Sequence, residues 1–238
     1  MSKAMNVTLF VPTINELEGL KVQMAQVPKE LFCQILISDG NSSDGTVEWA
    51  RSMGFDVYVQ KKAGLRHAYI EAWSMIKGDY VVTFSPDGNC IPAALPLIVA
   101  KLKEGYDMVI ASRYLGEAKS EDDDLITGFG NWIFTKMINV LHGGSYTDSL
   151  GIYRGYRTSL FYELDLDKEE SWKDEKYFCT VVGIEPLLSI RAAKKKIKIT
   201  EIPSDEPKRT TGERKLQIFR WGAMQLVHTI KEVFYWKK

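Results

Sequence analysis

The sequence predicts an α/β domain built on a doubly wound, mostly parallel sheet. Three observations carry that expectation. Short apolar runs alternate with segments of helical period through the first half of the chain. Loops rich in acids, glycine and small polar residues stand at the ends of those runs, where parallel sheets hold their ligands. With 238 residues, 45% hydrophobic and 26% charged, the chain can bury one large core, and it is too apolar to be disordered.

The elements follow in order. Val7–Val11 reads as a buried strand, and Glu16 to Ala25 as an amphipathic helix. Gln34–Ser38 is a second strand, followed by a helix over Asp44–Met53 with Asp44 suited to its N-cap. Phe55–Val59 is a third strand. Leu65, Ala68, Tyr69, Ala72 and Ile76 share one helical face. Tyr80–Phe84 is a fourth strand, and Ile91, Leu95, Ile98 and Leu102 mark a helix with Pro92 near its start, where proline is tolerated. Met108–Ala111 is a fifth strand.

The second half breaks this alternation. Glu117–Asp124 reads as an acidic, exposed loop. Ile126, Phe129, Ile133, Met137 and Val140 form a helical stripe that ends at Gly143-Gly144. Glu163–Glu175 is a second charged loop, followed by a helix near Glu185–Lys195 and a strand over Ile197–Ile202. After the polar stretch Ser204–Arg214, a last helix runs from about Lys215 towards Trp236. The expected division is one domain over 1–215 and an amphipathic helix over 216–238.

Composition excludes several classes. No stretch approaches the roughly 18 apolar residues of a membrane span, and Val7–Val11 is too short for a signal peptide. Cys33, Cys90 and Cys179 are far apart and odd in number, against a disulfide framework or a zinc site and consistent with a reducing cytoplasm. Lys plus Arg equals Asp plus Glu at 31 each, but residues 191–238 hold 13 basic and 5 acidic side chains. That basic end fits a solvated face, and equally a phosphate or an anionic membrane surface. Nothing points to nucleic acid. His67, His142 and His228 each stand alone in their segments and read as surface or core residues.

Three loops concentrate the chemistry: Pro12-Thr13-Ile14-Asn15-Glu16, Ser38-Asp39 through Thr46, and Ser85-Pro86-Asp87-Gly88-Asn89. Singly, each is an ordinary turn and helix cap. Together at one sheet edge they describe a site. Asp39–Gly45 is not a calcium loop, because its glycine falls at the seventh position and Ala50 stands at the twelfth. The chain has no G-x-x-x-x-G-K-[ST], and no G-x-G-x-x-G follows the first strand.

These loops belong to an ordered series. It continues through Gly64–Ala68, Gly78-Asp79, Ser112-Arg113-Tyr114, Asp148-Ser149-Leu150-Gly151-Ile152-Tyr153-Arg154, Glu185 and Arg209-Thr210-Thr211-Gly212-Glu213-Arg214-Lys215-Leu216. In this series the chain resembles the family 2 glycosyltransferases of GT-A fold, a Rossmann-like doubly wound architecture. It looks most like their dolichol-phosphate or polyprenyl-phosphate mannosyl- and glucosyltransferase branch. The resemblance covers about Val7 to Leu216.

The resemblance implies inverting transfer of a sugar from a nucleotide-diphosphate sugar, in cell-surface polysaccharide or glycolipid synthesis. Asp39 would accept a base N–H, with Pro12, Thr13, Asn15 and Glu16 lining the nucleoside site. The family often has an aromatic residue where Ile14 stands. Mg²⁺ or Mn²⁺ would neutralise the departing diphosphate from Asp87 and Asn89, with Gly88 between them. The family motif is Asp-x-Asp, so Asn89 supplies a neutral oxygen in place of a carboxylate. That departure also fits a non-catalytic nucleotide-sugar binding protein. Arg113 would serve the acceptor or the diphosphate, while Arg209 and Lys215 would close over the donor. Arg214 stands where the family has serine.

The acceptor is a polyprenyl phosphate or a glycan hydroxyl. A hydroxyl needs a base, for which Asp148 is the candidate. A phosphate needs none, and Asp148 would then orient Arg113 or Arg154. Glu185 reads as a supporting carboxylate. The last helix either packs on the domain or lays Phe234, Tyr235 and Trp236 on a membrane. The expected location is cytoplasmic, with peripheral contact at the inner membrane face.

Overall fold

The computed structural model describes residues 5–211 and 218–236. Strand β1 (Val7–Thr13) leads to α1 (Leu17–Gln26), β2 (Gln34–Asp39), α2 (Thr46–Ser52) and β3 (Asp56–Val59). Next come α3 (Leu65–Ala72), β4 (Tyr80–Thr83), α4 (Leu95–Lys103) and β5 (Met108–Ser112). The second half adds α5 (Leu125–His142), β6 (Arg154–Arg157), α6 (Leu160–Glu163) and α7 (Glu175–Phe178). It closes with α8 (Glu185–Lys195), β7 (Ile199–Pro203) and α9 (Ile218–Tyr235).

One seven-stranded sheet has the order β3-β2-β1-β4-β6-β5-β7, with β6 antiparallel to both of its neighbours. The doubly wound, mostly parallel sheet expected from the sequence is present. Successive side chains alternate between its faces. Leu9, Val11, Ile37, Val82 and Val109 meet Leu20, Met24, Ile98 and Leu102 on one side. Phe10, Leu36, Val81, Met108 and Ile110 meet Tyr69, Ala72, Leu187 and Leu188 on the other.

The sheet order sets the position of the site. Strands β1, β2, β4, β5 and β7 run the same way, so their carboxyl ends share one rim. The antiparallel β6 starts at that rim. The loops after Thr13, Asp39, Thr83, Ser112 and Pro203, and the segment entering Arg154, therefore converge.

Several local expectations shift. Helix α2 starts at Thr46, and Asp44 lies one residue before its cap, accepting from Thr46 N at 3.0 Å and Thr46 Oγ1 at 2.6 Å. The predicted Leu65–Ile76 helix ends at Ala72 and tightens into a 3₁₀ turn over Trp73–Met75. Pro92 heads another 3₁₀ turn before α4. Strand β6 is unpredicted, since Arg-Gly-Tyr-Arg has no apolar run to signal it.

Helices α5 and α9 reverse the usual polarity. On α5 the buried residues are Asn131, Thr135, Ile138 and His142, while the apolar stripe faces outward, with Phe129 60% and Val140 81% exposed. On α9 the buried residues are Met224, Gln225, His228, Thr229 and Glu232, while Phe219 (87%) and Phe234 (67%) face outward. Polar bonds join α9 to the domain. Glu232 pairs with the buried Arg191 at 2.9 Å, and His142 Nε2 lies 2.9 Å from the Thr229 carbonyl. Trp236 is buried and donates to Asp165 Oδ2 at 3.0 Å, so of the two alternatives for it, packing on the domain holds.

His228 is buried, and burial pushes its imidazole down to about 4, the charges of Asp174 and Glu232 opposing less than they would need to restore it. The unfolded chain therefore takes up a proton between about 6.5 and 4 that the folded chain refuses, so stability falls as the pH drops through that window. We predict that the stability advantage of the native chain over His228→Gln shrinks by up to about 3 kcal/mol across it. Urea titrations at pH 7 and pH 4.5 check this; an advantage that stays constant contradicts it.

Candidate active site

At the nucleoside end, the first two loops are bonded together. Asp39 closes β2, is fully buried, and accepts from Ser42 N at 2.8 Å and Ser42 Oγ at 2.5 Å. Asn15 adopts a left-handed conformation (φ 53°). Its N–H donates to Ser42 Oγ at 2.8 Å, and its Oδ1 accepts from Ser43 N at 2.9 Å. Asp44 reaches back to accept from Leu17 N at 3.0 Å. Thr13 Oγ1 donates to Glu16 at 3.2 Å. Pro12 lies beyond the β4 pairing, which ends at Phe10, so one side of β1 is open there.

The third loop lies against the first. A Cβ on Gly19 of α1 would sit 2.4 Å from the Pro86 carbonyl oxygen, so only glycine permits that approach. Gly88 has φ +98°, and a Cβ there would meet Thr210 Oγ1 at 2.6 Å. Thr210 N donates to the Asp87 carbonyl at 2.9 Å. The segment after β7 is thereby pinned over the Asp87 turn. Arg209 Nη1 lies 3.7 Å from Asp87 Oδ2, and its Nη2 lies 3.1 Å from Asp122 Oδ2.

A second cluster lies beside the first. Arg113 follows β5 and forks onto Asp148, with Nε 2.6 Å from Oδ2 and Nη2 3.0 Å from Oδ1. Its Nη1 reaches Glu206 at 3.2 Å and Asp123 at 3.5 Å. Asp148 is completely buried and also accepts from Gly151 N at 3.2 Å. Burial acts to raise its carboxyl, but the Arg113 charge and hydrogen bonds, aided by Arg154, outweigh that and hold it below the ordinary carboxylate range. Arg154 is fully buried and bonds Gly151 O at 2.7 Å, Ser189 Oγ at 2.9 Å and Ser149 O at 3.2 Å, fixing the 148–151 turn. Glu201 accepts from Thr147 N at 2.9 Å and Asp148 N at 3.1 Å.

Arg113 also borders a cavity of about 260 Å³ among α5, α8 and α9, lined by Asn131, Leu150, Glu185, Trp221 and Gln225. Burial pushes the Glu185 carboxyl up, opposed by the Tyr69 hydroxyl that donates to it at 2.6 Å.

Pro12, Thr13, Asn15, Glu16, Asp39, Asp87, Gly88, Asn89, Arg113, Asp148 and Arg209 thus all stand at one rim. Lys215 lies outside the described residues. The 117–124 loop is not simply exposed: the Asp122 and Asp123 side chains are only 14% and 12% accessible. Asp122 bonds Arg209, and Asp123 accepts from the Tyr114 hydroxyl, so this loop joins the two clusters. Sequence reasoning missed Asp122, Asp123, Glu201 and Glu206 as site residues.

A sequence model described as glycosyl transferase family 2 matches residues 8–165. The chain belongs to that family. Its relatives include an undecaprenyl-phosphate mannosyltransferase of Micrococcus luteus, 27% identical over 92% of this chain and 94% of that protein. A polyprenol monophosphomannose synthase of Mycolicibacterium smegmatis is 26% identical over 96% and 85%. Glycosyltransferase AglJ of Haloferax volcanii is 29% identical over 83% of this chain, which spans only 62% of its length. In fold, this glycosyltransferase matches glucosyl-3-phosphoglycerate synthase of Mycobacterium tuberculosis, solved with Mn²⁺, uridine diphosphate and glucosyl-3-phosphoglycerate. The TM-score is 0.63 at 16% identity, covering 95% of this chain and 80% of that one.

The residues at the third loop fit a divalent ion. Asn89 Nδ2 donates to Asp122 Oδ2 at 3.1 Å, which fixes the amide orientation. Asn89 Oδ1 is then buried without a donor, and the Asn89 backbone N donates to Asp87 Oδ1 at 3.1 Å. Among the described residues no group of three or more His, Cys, Asp and Glu side chains forms a cage. A hard cation held by few protein oxygens and completed by substrate phosphates asks for none.

Proposed function

We propose that this family 2 glycosyltransferase moves a sugar from a nucleoside-diphosphate donor to a polyprenyl phosphate, by one in-line displacement that inverts the anomeric carbon. The observation that carries the reading is Arg113. It is a half-buried guanidinium, its side chain 17% accessible, bordering a mainly apolar cavity with its Asp148 partner locked in place. A glycan hydroxyl would need a base, and Asp148 has both oxygens on Arg113 and an acidity that makes it a poor one. A phosphate is already anionic and needs only to be oriented. The relatives named for undecaprenyl-phosphate and polyprenol substrates support the same acceptor.

In this reading Asp39 takes a base N–H, and the bonded Asn15–Ser42 pair shapes the nucleoside pocket. Mg²⁺ or Mn²⁺ held by Asp87 and Asn89 supplies charge neutralisation for the leaving diphosphate. Arg113 Nη1, whose contacts to Glu206 and Asp123 are its longer ones, orients the acceptor phosphate. Asp148 is a positioning residue that fixes the guanidinium plane. Arg209 covers the donor side and excludes water.

Helices α5 and α9 border the same cavity through Ile126, Asn131, Trp221 and Gln225, and each carries exposed aromatic side chains. Phe129, Trp132, Phe219 and Phe234 suit a membrane surface, with the exposed Arg220 available to anionic headgroups. No described helix is long and apolar enough to cross a membrane.

A labelled-donor panel tests the proposal, with Mn²⁺ and polyprenyl phosphate offered in anionic vesicles or as a short chain in detergent. Sugar should pass to the phosphate and not to the matching polyprenol. The Phe219→Ser, Phe234→Ser pair should lower transfer in vesicles at least tenfold and leave the detergent reaction nearly unchanged, since each ring removes up to about 2 kcal/mol of apolar burial. Transfer to the alcohol, or to neither, contradicts the reading.

A further inference from the structure

We propose that Asn131, aided by Gln225, hydrogen-bonds a hydroxyl of the hexose being transferred and so selects the sugar. The inference rests on the reading above, in which Arg113 seats the acceptor phosphate, and it places the hexose in the cavity that Arg113 borders.

Three observations carry it. Asn131 is only 5% exposed and lines the cavity, and its Oδ1 is buried with no hydrogen-bond partner among the described residues. Its neighbours on the buried face of α5 are used by the fold: Thr135 Oγ1 lies 2.9 Å from Ser149 Oγ, and His142 Nε2 lies 2.9 Å from the Thr229 carbonyl. An orphaned amide oxygen costs its full desolvation, and packing alone gives nothing back for it. Second, Gln225 of α9 lines the same cavity with its nitrogen committed to Thr229 Oγ1 at 3.2 Å, which leaves its oxygen as a second acceptor. Third, Gly130 and Gly222, inside α5 and α9, line the cavity too, and a Cβ at either would meet nothing within 4 Å. Helix interiors disfavour glycine, so these two positions keep room beside the amides at the expense of stability.

The chemistry of these groups narrows the occupant. A prenyl chain has no polar hydrogen to give an amide oxygen, and an ionised phosphate only accepts. A hydroxyl donates to Oδ1 and can accept from Nδ2 in return. The ribose hydroxyls belong with the nucleoside loops around Asp39 and Asn15, which leaves the hexose. The rest of the lining, Trp221 included, is mainly apolar, and a few polar groups in such a wall fix the orientation of a small ligand. The transfer itself is unchanged. An acceptor phosphate oxygen bonds to the anomeric carbon as the bond to the diphosphate breaks, and that electron pair leaves with the diphosphate.

The probes are UDP- and GDP-linked glucose, mannose and galactose with their single-deoxy hexose analogues, and short-chain polyprenyl phosphate in detergent is the acceptor. Asn131→Ala should lower kcat/KM for the preferred donor at least tenfold, because a site built to bond a hydroxyl has lost its partner. Affinity for the free nucleoside diphosphate should stay within about twofold of native, since that ligand carries no hexose. One deoxy analogue should lose at least tenfold with the native chain and no more than about twofold with Asn131→Ala, because side chain and hydroxyl are two halves of one bond. Should Asn131→Ala fail to fold, Asn131→Thr is carried through the same cycle. If the native chain transfers a hexose and the variant matches it, or every deoxy penalty persists in the variant, the inference falls and the proposed function stands. If no donor in the panel gives its sugar to the phosphate, both fall.

Discussion

Asp87→Ala should lower sugar transfer by about a thousandfold or more while moving the melting temperature by only a few degrees. The large effect follows from what Asp87 does in the proposed chemistry. It is the one acidic side chain in the Asp87-Gly88-Asn89 turn. Losing it removes several kcal/mol of charge stabilisation for the leaving diphosphate, and each 1.4 kcal/mol or so is a factor of ten in rate. The small structural effect follows from its bonds. Within the protein the carboxylate holds Asn89 N at 3.1 Å and a long contact to Arg209 at 3.7 Å. The Thr210 N bond to the Asp87 carbonyl survives the substitution because it uses backbone atoms. Steady-state transfer and thermal unfolding on the same sample check both parts. A variant retaining a tenth of native turnover contradicts the role given to Asp87.

Arg113→Ala has the opposite balance, abolishing transfer and also destabilising the fold. Asp148 would be left at zero exposure with its main counter-charge gone, forced either to hold its charge nearly unpaired or to take up a proton. Breaking a buried pair from one side costs about 3–5 kcal/mol. For a chain of this size that is a fall of roughly 6–20 °C in melting temperature. Adding Asp148→Asn to Arg113→Ala should recover about half of the loss without restoring transfer, because the stranded charge is then removed but the phosphate contact is not. Thermal unfolding of the three chains decides this. A double variant no more stable than Arg113→Ala would place the destabilisation elsewhere.

The sequence made the donor half of the site legible because strand ends and loop chemistry are local. Asp39 and Asp87 follow apolar runs directly, and parallel pairing of β1, β2 and β4 brings them to one rim. The acceptor half was less visible. Arg113 and Asp148 are 35 residues apart, and their fork exists because β6 turns back antiparallel between β4 and β5. That strand has no period-2 apolar signal. Asp122 and Asp123 stood in a run of acids that reads as solvated, whereas contacts including those to Arg209 and Arg113 draw them inward.

Helices α5 and α9 were read correctly as helices and incompletely as surfaces. An apolar stripe says which residues share a face, not what covers it. Here Asn131, Thr135 and His142, with Gln225, Thr229 and Glu232, face the domain, and Thr135, His142, Thr229 and Glu232 bond across to other elements. The apolar sides are left outward. Of the two alternatives for Trp236, packing on the domain is the one present: its indole N–H is used by Asp165 and its ring lies under Arg191.

Calorimetric titration of the native chain with a series of nucleoside diphosphates, in Mn²⁺ and in chelator, reaches the main assertion most directly. One diphosphate should bind at a single site, at least tenfold tighter with the ion, and Asp39→Ala should abolish that binding. Saturable binding unaffected by both the ion and the Asp39 substitution, or no binding at all, would contradict the claim that this rim clasps an activated sugar.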